Sequence, residues 1–239
     1  MIGIHDIGGY HMGPIETKDD LVFHEPWEGL VFSLTLVSAV QGSWSLAEFR
    51  HIIEQMPPAE YLWTPYYVHW LEAVEELCAR DGFVTPEELT ARRQAIRNGE
   101  TPPALPVPTD PEVAQSLREG IQNLAYTGLG VRRPDQPRSF QADDRVRARV
   151  LAVSGHTRLP WYVWGKPGVV VSYSGTYPLP DTEATGGDDP EPTYMVRFAG
   201  TDLWGPGTET NVSVVLSLFE SYMDLDPEAT AVGQDAVSQ

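Results

Sequence analysis

The run TPPALPVPTDP, residues 101–111, carries five prolines. Proline fixes φ and lacks an N–H, so such a stretch is excluded from a helix interior and from a central strand. It reads as a stiff, extended connector. On either side of it the hydrophobic pattern differs. Upstream, apolar residues recur at helical spacing; downstream they alternate or gather in short β-branched runs. The chain is therefore expected to have a helical half and a β half. It contains no internal repeat.

The helical half carries its own punctuation. Ser45 and Glu48 have capping-box spacing, and the helix they open must end before Pro57-Pro58. Thr64-Pro65 predicts an N-cap followed by proline at the first helical position, with the helix running to Asp81-Gly82. Thr85-Pro86-Glu87-Glu88 repeats the device, and Gly99 closes that helix. A further amphipathic helix is expected over Pro111–Tyr126. Residues 1–26, rich in Gly, Pro, His and Asp without periodicity, read as an extended arm that needs a surface to lie on, and that surface is expected to be a partner chain.

In the β half, Arg145–Val150 alternates strictly, which places Arg145, Arg147 and Arg149 on the solvent side. Gly168–Tyr173, Tyr194–Phe198 and Asn211–Phe219 are further strand candidates. Short strands separated by Gly/Pro turns imply a small barrel or roll. The expected class is α+β, organised as an arm (1–26), a helical domain (27–100), a proline-rich linker with one helix (101–137) and a β-barrel or roll domain with a C-terminal tail (138–239).

Composition narrows the function. The chain has 239 residues, 41% of them apolar, enough for a full core. A net charge of −18 argues against nucleic acid and acidic membranes as partners, because such a surface repels phosphate. A soluble protein partner or a neutral substrate fits better. The single cysteine, Cys78, supports neither a disulfide framework nor a thiolate metal site. The opening MIGIHDIGGY lacks a basic n-region, and no run of about 18 apolar residues occurs, so a cytoplasmic protein is expected.

Histidines 5, 11, 24, 51, 69 and 156 show no zinc-site spacing, and neither Gly-x-Ser-x-Gly nor Gly-x-Gly-x-x-Gly is present. The acidic stretch Asp188-Asp189 with Glu191 reads as a solvated turn before it reads as a calcium loop. Two constellations stand out. SGHTRLPWYVWGKPG, residues 154–168, sets His156 and Arg158 among aromatic residues in a loop, which is more than turn geometry needs. Tyr66, His69 and Trp70, at i, i+3 and i+4, share one helix face. Taken alone, the first is equally a basic knuckle balancing carboxylates, the second an aromatic core stripe, and Arg50 a surface residue.

Read together, these stretches carry more. Gly3-Ile4-His5-Asp6-Ile7-Gly8-Gly9, Phe23-His24-Glu25-Pro26-Trp27-Glu28, Glu48-Phe49-Arg50, Pro65-Tyr66-Tyr67, Gly155-His156-Thr157-Arg158, Tyr177-Pro178, Pro190-Glu191-Pro192-Thr193-Tyr194 and Leu203-Trp204-Gly205 resemble, in order and spacing, the β subunit of nitrile hydratase. The chain is similar to that family over nearly its whole length. The resemblance implies an SH3-like C-terminal domain and an enzyme, inactive as a single chain, that hydrates small nitriles to amides. It implies a Co(III) or Fe(III) centre held by a partner α subunit through cysteines, two of them oxidised, in an αβ heterodimer or α2β2 assembly. No metal ligand is expected in this chain. By motif, Arg50 and Arg158 correspond to the arginines that hydrogen-bond the oxidised cysteine oxygens, Tyr66 to a tyrosine beside the metal, and Leu46, Phe49 and Trp70 to the substrate pocket. Leu-Trp-Gly and Pro58-Ala59-Glu60-Tyr61-Leu62 lean toward the cobalt type. The chain departs from the family at Trp164, where an arginine is usual, and at Leu216-Ser217-Leu218-Phe219-Glu220 in place of Val-Asp-Leu-Trp-Glu. The alternatives are an accessory activator or metallochaperone, which resembles the helical half alone, and a thiocyanate hydrolase-related subunit, whose equivalent sequence is split between two chains. The continuous chain and its β half favour the first reading.

Overall fold

The computed structural model describes residues 3–10, 13–14, 17, 21–41, 44–101, 110–127, 132–151 and 154–228. Most of the proline-rich run, residues 102–109, lies outside them, as do His11 and the end of the chain after Glu228. The chain divides into two compact units: one comprises residues 15–129, the other residues 1–14 together with 130–239.

The first unit is helical. It contains α1 (Pro26–Val40), α2 (Leu46–Glu54), α3 (Pro58–Trp63), α4 (Tyr66–Arg80), α5 (Pro86–Arg97) and α6 (Pro111–Thr127). At the start of α2, Glu48 N–H donates to Ser45 Oγ at 3.1 Å and Ser45 N–H to Glu48 Oε2 at 2.7 Å. The box at Thr85 and Glu88 forms likewise. Thr64 behaves differently from expectation: its hydroxyl donates backward to the Glu60 carbonyl at 2.7 Å, closing α3, and Pro65 takes the N-cap place of α4. The cause is the short helix opened by Pro58, whose last turn competes for that side chain. Gly82 and Gly99 follow α4 and α5 with φ of +76° and +84°, a region costly for any side chain with a Cβ. The core is Trp44, Phe49, Ala73, Val74 and Leu77, where α2 packs on α4, with Ile52, Ile53 and Trp70 against it. Among the described residues no helix is long and apolar enough to cross a membrane.

The second unit is built on one antiparallel sheet: β1 (Arg145–Ala148), β2 (Pro167–Pro178), β3 (Pro190–Ala199), β4 (Ser213–Phe219) and β5 (Met223–Leu225), in the order β4-β3-β2-β1-β5. The whole is thus α+β, and the sheet is not closed: β4 and β5 form its two ends. Short helices α7 (Pro180–Glu183) and α8 (Gly200–Trp204) sit in its connections. Register shifts at Val170/Ser172 and Tyr173/Gly175 mark irregularities in β2, the kind of feature that bends a strand. Val146, Val170, Tyr194, Val196, Phe198, Leu218, Tyr222 and Met223 form the core, each 2% exposed or less. At about 25 cal/mol per Å² of apolar surface, each such side chain contributes roughly 1.5–3 kcal/mol.

Residues 3–10 belong to this second unit. Asp6 Oδ2 accepts from Trp161 N–H at 3.1 Å, and the Tyr10 and Trp161 rings lie 5.1 Å apart. A Cβ on Gly8 would come within 2.8 Å of the Tyr162 ring, so the segment approaches that ring as closely as glycine allows. The start of the chain lies here on its own β unit, a contact that the reading as a partner-wrapping arm does not include.

Candidate functional site

Helix α2 presents Leu46, Phe49, Arg50 and Ile53 at i, i+3, i+4 and i+7, and α4 presents Tyr66, His69 and Trp70. Facing one another, they line a cavity of about 410 Å³, completed by Thr35, Leu36 and Ala39 of α1 with Trp44 and Tyr61. The volume suits a small organic molecule. Of the residues singled out by sequence, Leu46, Phe49, Arg50, Tyr66 and Trp70 are thus brought together, and His69 joins them.

The walls are largely aromatic. Phe49 meets Trp70 edge-on at 5.3 Å and stacks on Trp44 at 5.3 Å; Tyr66 lies 5.7 Å from Trp70, and Tyr61 stacks on His69 at 4.7 Å. Burial, with the nearby Glu54 and Tyr66, pushes the Tyr61 phenol above its ordinary range, so it is a hydrogen-bond donor at neutral pH. Tyr66 is exposed. An apolar wall with one guanidinium and two phenols can enclose an apolar molecule and grip a negative or strongly polar group at one end. Tyr61 and His69 were not singled out as pocket residues; the α3 turn that brings Tyr61 in has no sequence signal beyond Pro57-Pro58.

Arg158 belongs to the β unit. His156, Thr157 and Leu159 around it are buried, while Arg158 itself is exposed. Its backbone N–H donates to the Tyr222 hydroxyl at 3.1 Å. Trp164, where the resemblance leads one to expect arginine, donates its indole N–H to the Leu159 carbonyl at 3.3 Å and packs against the β core. Asp6 is the nearby carboxylate: burial raises its pKa, and the Trp161 N–H, His5 and Arg158 partly oppose that rise. The acidic loop turns out to be tied down by protein groups, since Asp188 pairs with Arg133 at 3.1 Å and Glu191 accepts from Ser221 N–H at 3.0 Å.

Cys78 is half-buried on α4 beside the helical core. Burial, then Asp81 and Glu75, pushes its thiol above the ordinary value, the reverse of what a metal-bound thiolate needs.

Residues 1–117 match the family described as Nitrile hydratase beta subunit, N-terminal, and residues 130–225 the family described as Nitrile hydratase beta subunit, C-terminal. The Cobalt-containing nitrile hydratase subunit beta of Pseudonocardia thermophila is 40% identical over 236 residues, covering 97% of this chain and 100% of that one. The Low-molecular weight cobalt-containing nitrile hydratase subunit beta of Rhodococcus rhodochrous is 38% identical over 228 residues, covering 93% and 99%. The Nitrile hydratase subunit beta of Pseudomonas putida is 33% identical, covering 94% and 99%. Among solved structures, a chain of the Thiobacillus thioparus thiocyanate hydrolase apo-enzyme aligns with TM-score 0.36 and 28% identity over 37% of this chain and 76% of that one, too small a likeness to carry an argument.

Proposed function

The chain belongs to the nitrile hydratase β-subunit family, and on that premise we propose how its residues serve the hydration of a nitrile to an amide. A partner α subunit holds a cobalt ion, in keeping with the cobalt-containing relatives, and the two chains form αβ heterodimers that pair as α2β2 in the cytoplasm. Bound there, Co(III) supplies Lewis acidity toward nitrile and water. This chain suits a supporting place beside such a centre and not its ligand shell: the one cysteine is held as a thiol, and arginine does not ligate metals.

The observation that carries the reading is the cavity between α2 and α4, in which Leu46, Phe49 and Trp70 form an apolar wall with Arg50 and Tyr66 on its lining. The apolar wall takes the hydrocarbon part of a small nitrile and excludes water. Arg50 and Arg158 each hold an oxygen of the partner's oxidised cysteines through charge-assisted hydrogen bonds, which a planar, permanently charged guanidinium makes with two prongs. Tyr66 orients the polar end of the substrate by its phenol. The irregular β2 and the five-stranded order support reading the β unit as a small SH3-like roll that presents the Arg158 loop.

The test is turnover of the co-expressed α/β enzyme carrying Arg50→Lys, with metal content and assembly measured alongside. Lysine keeps the charge and loses the two-pronged geometry, so turnover is expected to fall at least about tenfold with cobalt content unchanged. Near-normal turnover would remove the clamp. A Trp70→Ala enzyme is expected to show a raised KM for aromatic nitriles.

A further inference from the structure

Tyr222 is 1% exposed, its ring packed edge-on against Phe219 at 5.6 Å within the β core. Its hydroxyl is the meeting point of three groups. It accepts from the Arg158 backbone N–H at 3.1 Å and from the Thr157 hydroxyl at 3.3 Å, and it donates to Asp181 Oδ2 on α7. A phenolic oxygen offers one proton and two lone pairs, so this arrangement uses its full capacity. Thr157 Oγ1 in turn accepts from Leu159 N–H at 3.3 Å. The Arg158 N–H is therefore tied to the Tyr222 oxygen directly and the Leu159 N–H through Thr157 Oγ1, and that oxygen is held by a core ring and a carboxylate.

We propose that Tyr222, braced by Asp181, is the positioning residue for Arg158, fixing the backbone from which its guanidinium reaches the partner's oxidised cysteines; this rests on the function proposed above. The Arg158 side chain is long and exposed, with freedom of rotation to lose. What can be preorganised is its starting point. The arrangement also fixes the direction of the hydrogen bonds: burial and the Asp181 carboxylate hold Tyr222 protonated well beyond the physiological range, so its proton stays on the phenol and points to Asp181 while its lone pairs stay turned to Arg158 and Thr157. Loss of the hydroxyl leaves one buried and one part-buried donor without their acceptor and lets the loop drift. Displacements near 1 Å are enough to spoil a catalytic arrangement.

The experiment uses the co-expressed α/β enzyme in four forms: parent, Tyr222→Phe, Arg158→Lys and the double variant. Tyr222→Phe keeps the ring and removes only the oxygen. Turnover is expected to fall about tenfold with KM and cobalt content unchanged. Hydrogen exchange of peptides covering residues 154–160 is expected to speed up about tenfold, a readout independent of catalysis. Because Tyr222 acts through Arg158, the double variant is expected to turn over no more slowly than Arg158→Lys alone. Additive losses, or exchange unchanged in Tyr222→Phe, overturn the proposal while leaving the clamp intact. Near-normal turnover of Arg158→Lys removes the clamp and this role with it, whatever the exchange shows. Should Tyr222→Phe fail to assemble, Asp181→Ala, which leaves the hydroxyl in place and removes its brace, decides: faster exchange over 154–160 supports the proposal and unchanged exchange overturns it.

Discussion

Arg147 lies in a strand whose alternation places it toward solvent, yet its guanidinium is committed to the protein. Nε and Nη2 donate to Asp226 Oδ1 at 3.2 and 2.8 Å, and Nη1 donates to the Gly165 carbonyl at 3.0 Å. The Asp226 side chain is wholly buried. Local spacing could not reveal this, because the partner is 79 residues away and arrives through the pairing of β1 with β5. Arg149 pairs with Asp224, but both are largely exposed. The three arginines of that strand are therefore not equivalent. Replacing Arg147 by alanine strands a buried carboxylate and is expected to cost about 3 kcal/mol, the low end for a broken buried pair, since Arg145 remains 3.8 Å away. Arg149→Lys is expected to cost under about 1 kcal/mol. Thermal unfolding of the co-expressed complex measures both, and equal effects would mean that the Asp226 pair adds no more than a surface contact. The site arginines show the same limit of local reading. Arg50 was recognisable only through its place in Glu48-Phe49-Arg50, since nothing in helical periodicity separates it from a surface arginine.

At the level of elements, what could be read was what is encoded within three or four residues. The boxes at Ser45 and Thr85 formed as spaced, α6 ran from Pro111 to Thr127, β1 and β4 lie within the expected runs, and β2 and β3 cover theirs but extend beyond them, to Pro178 and back to Pro190. Short elements held by tertiary contacts were missed: α3, α7, α8 and β5 are three to six residues long, below the length at which periodicity is defined. The two boxes also make a matched pair for experiment. Ser45 caps α2, which carries Leu46, Phe49 and Arg50 into the cavity, and its partner Glu48 is further held by Arg80 at 2.6 Å. Thr85 caps α5, none of whose residues is buried and none of which lines the cavity. Each replacement by alanine is expected to cost about 1 kcal/mol. Only Ser45→Ala is expected to raise KM or lower turnover, because only its helix end carries pocket residues. Steady-state kinetics of the two co-expressed variants checks this, and identical kinetics would separate the α2 cap from the cavity.

For the whole molecule, the proline-rich run does not mark the division between the units, because α6 follows it within the helical unit, which ends at residue 129. It could not show that residues 3–10 join the β unit, since Asp6 meets Trp161 across 155 residues and a glycine-rich segment has no periodicity to read. What the chain leaves uncovered is as informative as what it buries. In the helical unit Trp63 is 92% exposed and Leu62 66%, beside the exposed Tyr66. Burying such side chains is worth roughly 1.5–3 kcal/mol each, so under the proposed pairing the α subunit is expected to be the surface that covers them. The same incompleteness applies to the chemistry. The thiolate centre proposed for the pair needs several cysteines, and this chain has one, kept as a thiol by burial and neighbouring carboxylates. Purified without its partner, the chain is therefore expected to hold no stoichiometric cobalt or iron and to leave nitriles unhydrated, and co-expression with the α subunit is expected to supply both metal and turnover. Elemental analysis and a nitrile hydration assay on the same two preparations decide the matter: about one metal per chain with turnover in the lone subunit would place the reacting centre in this chain and overturn the division of labour proposed for the pair.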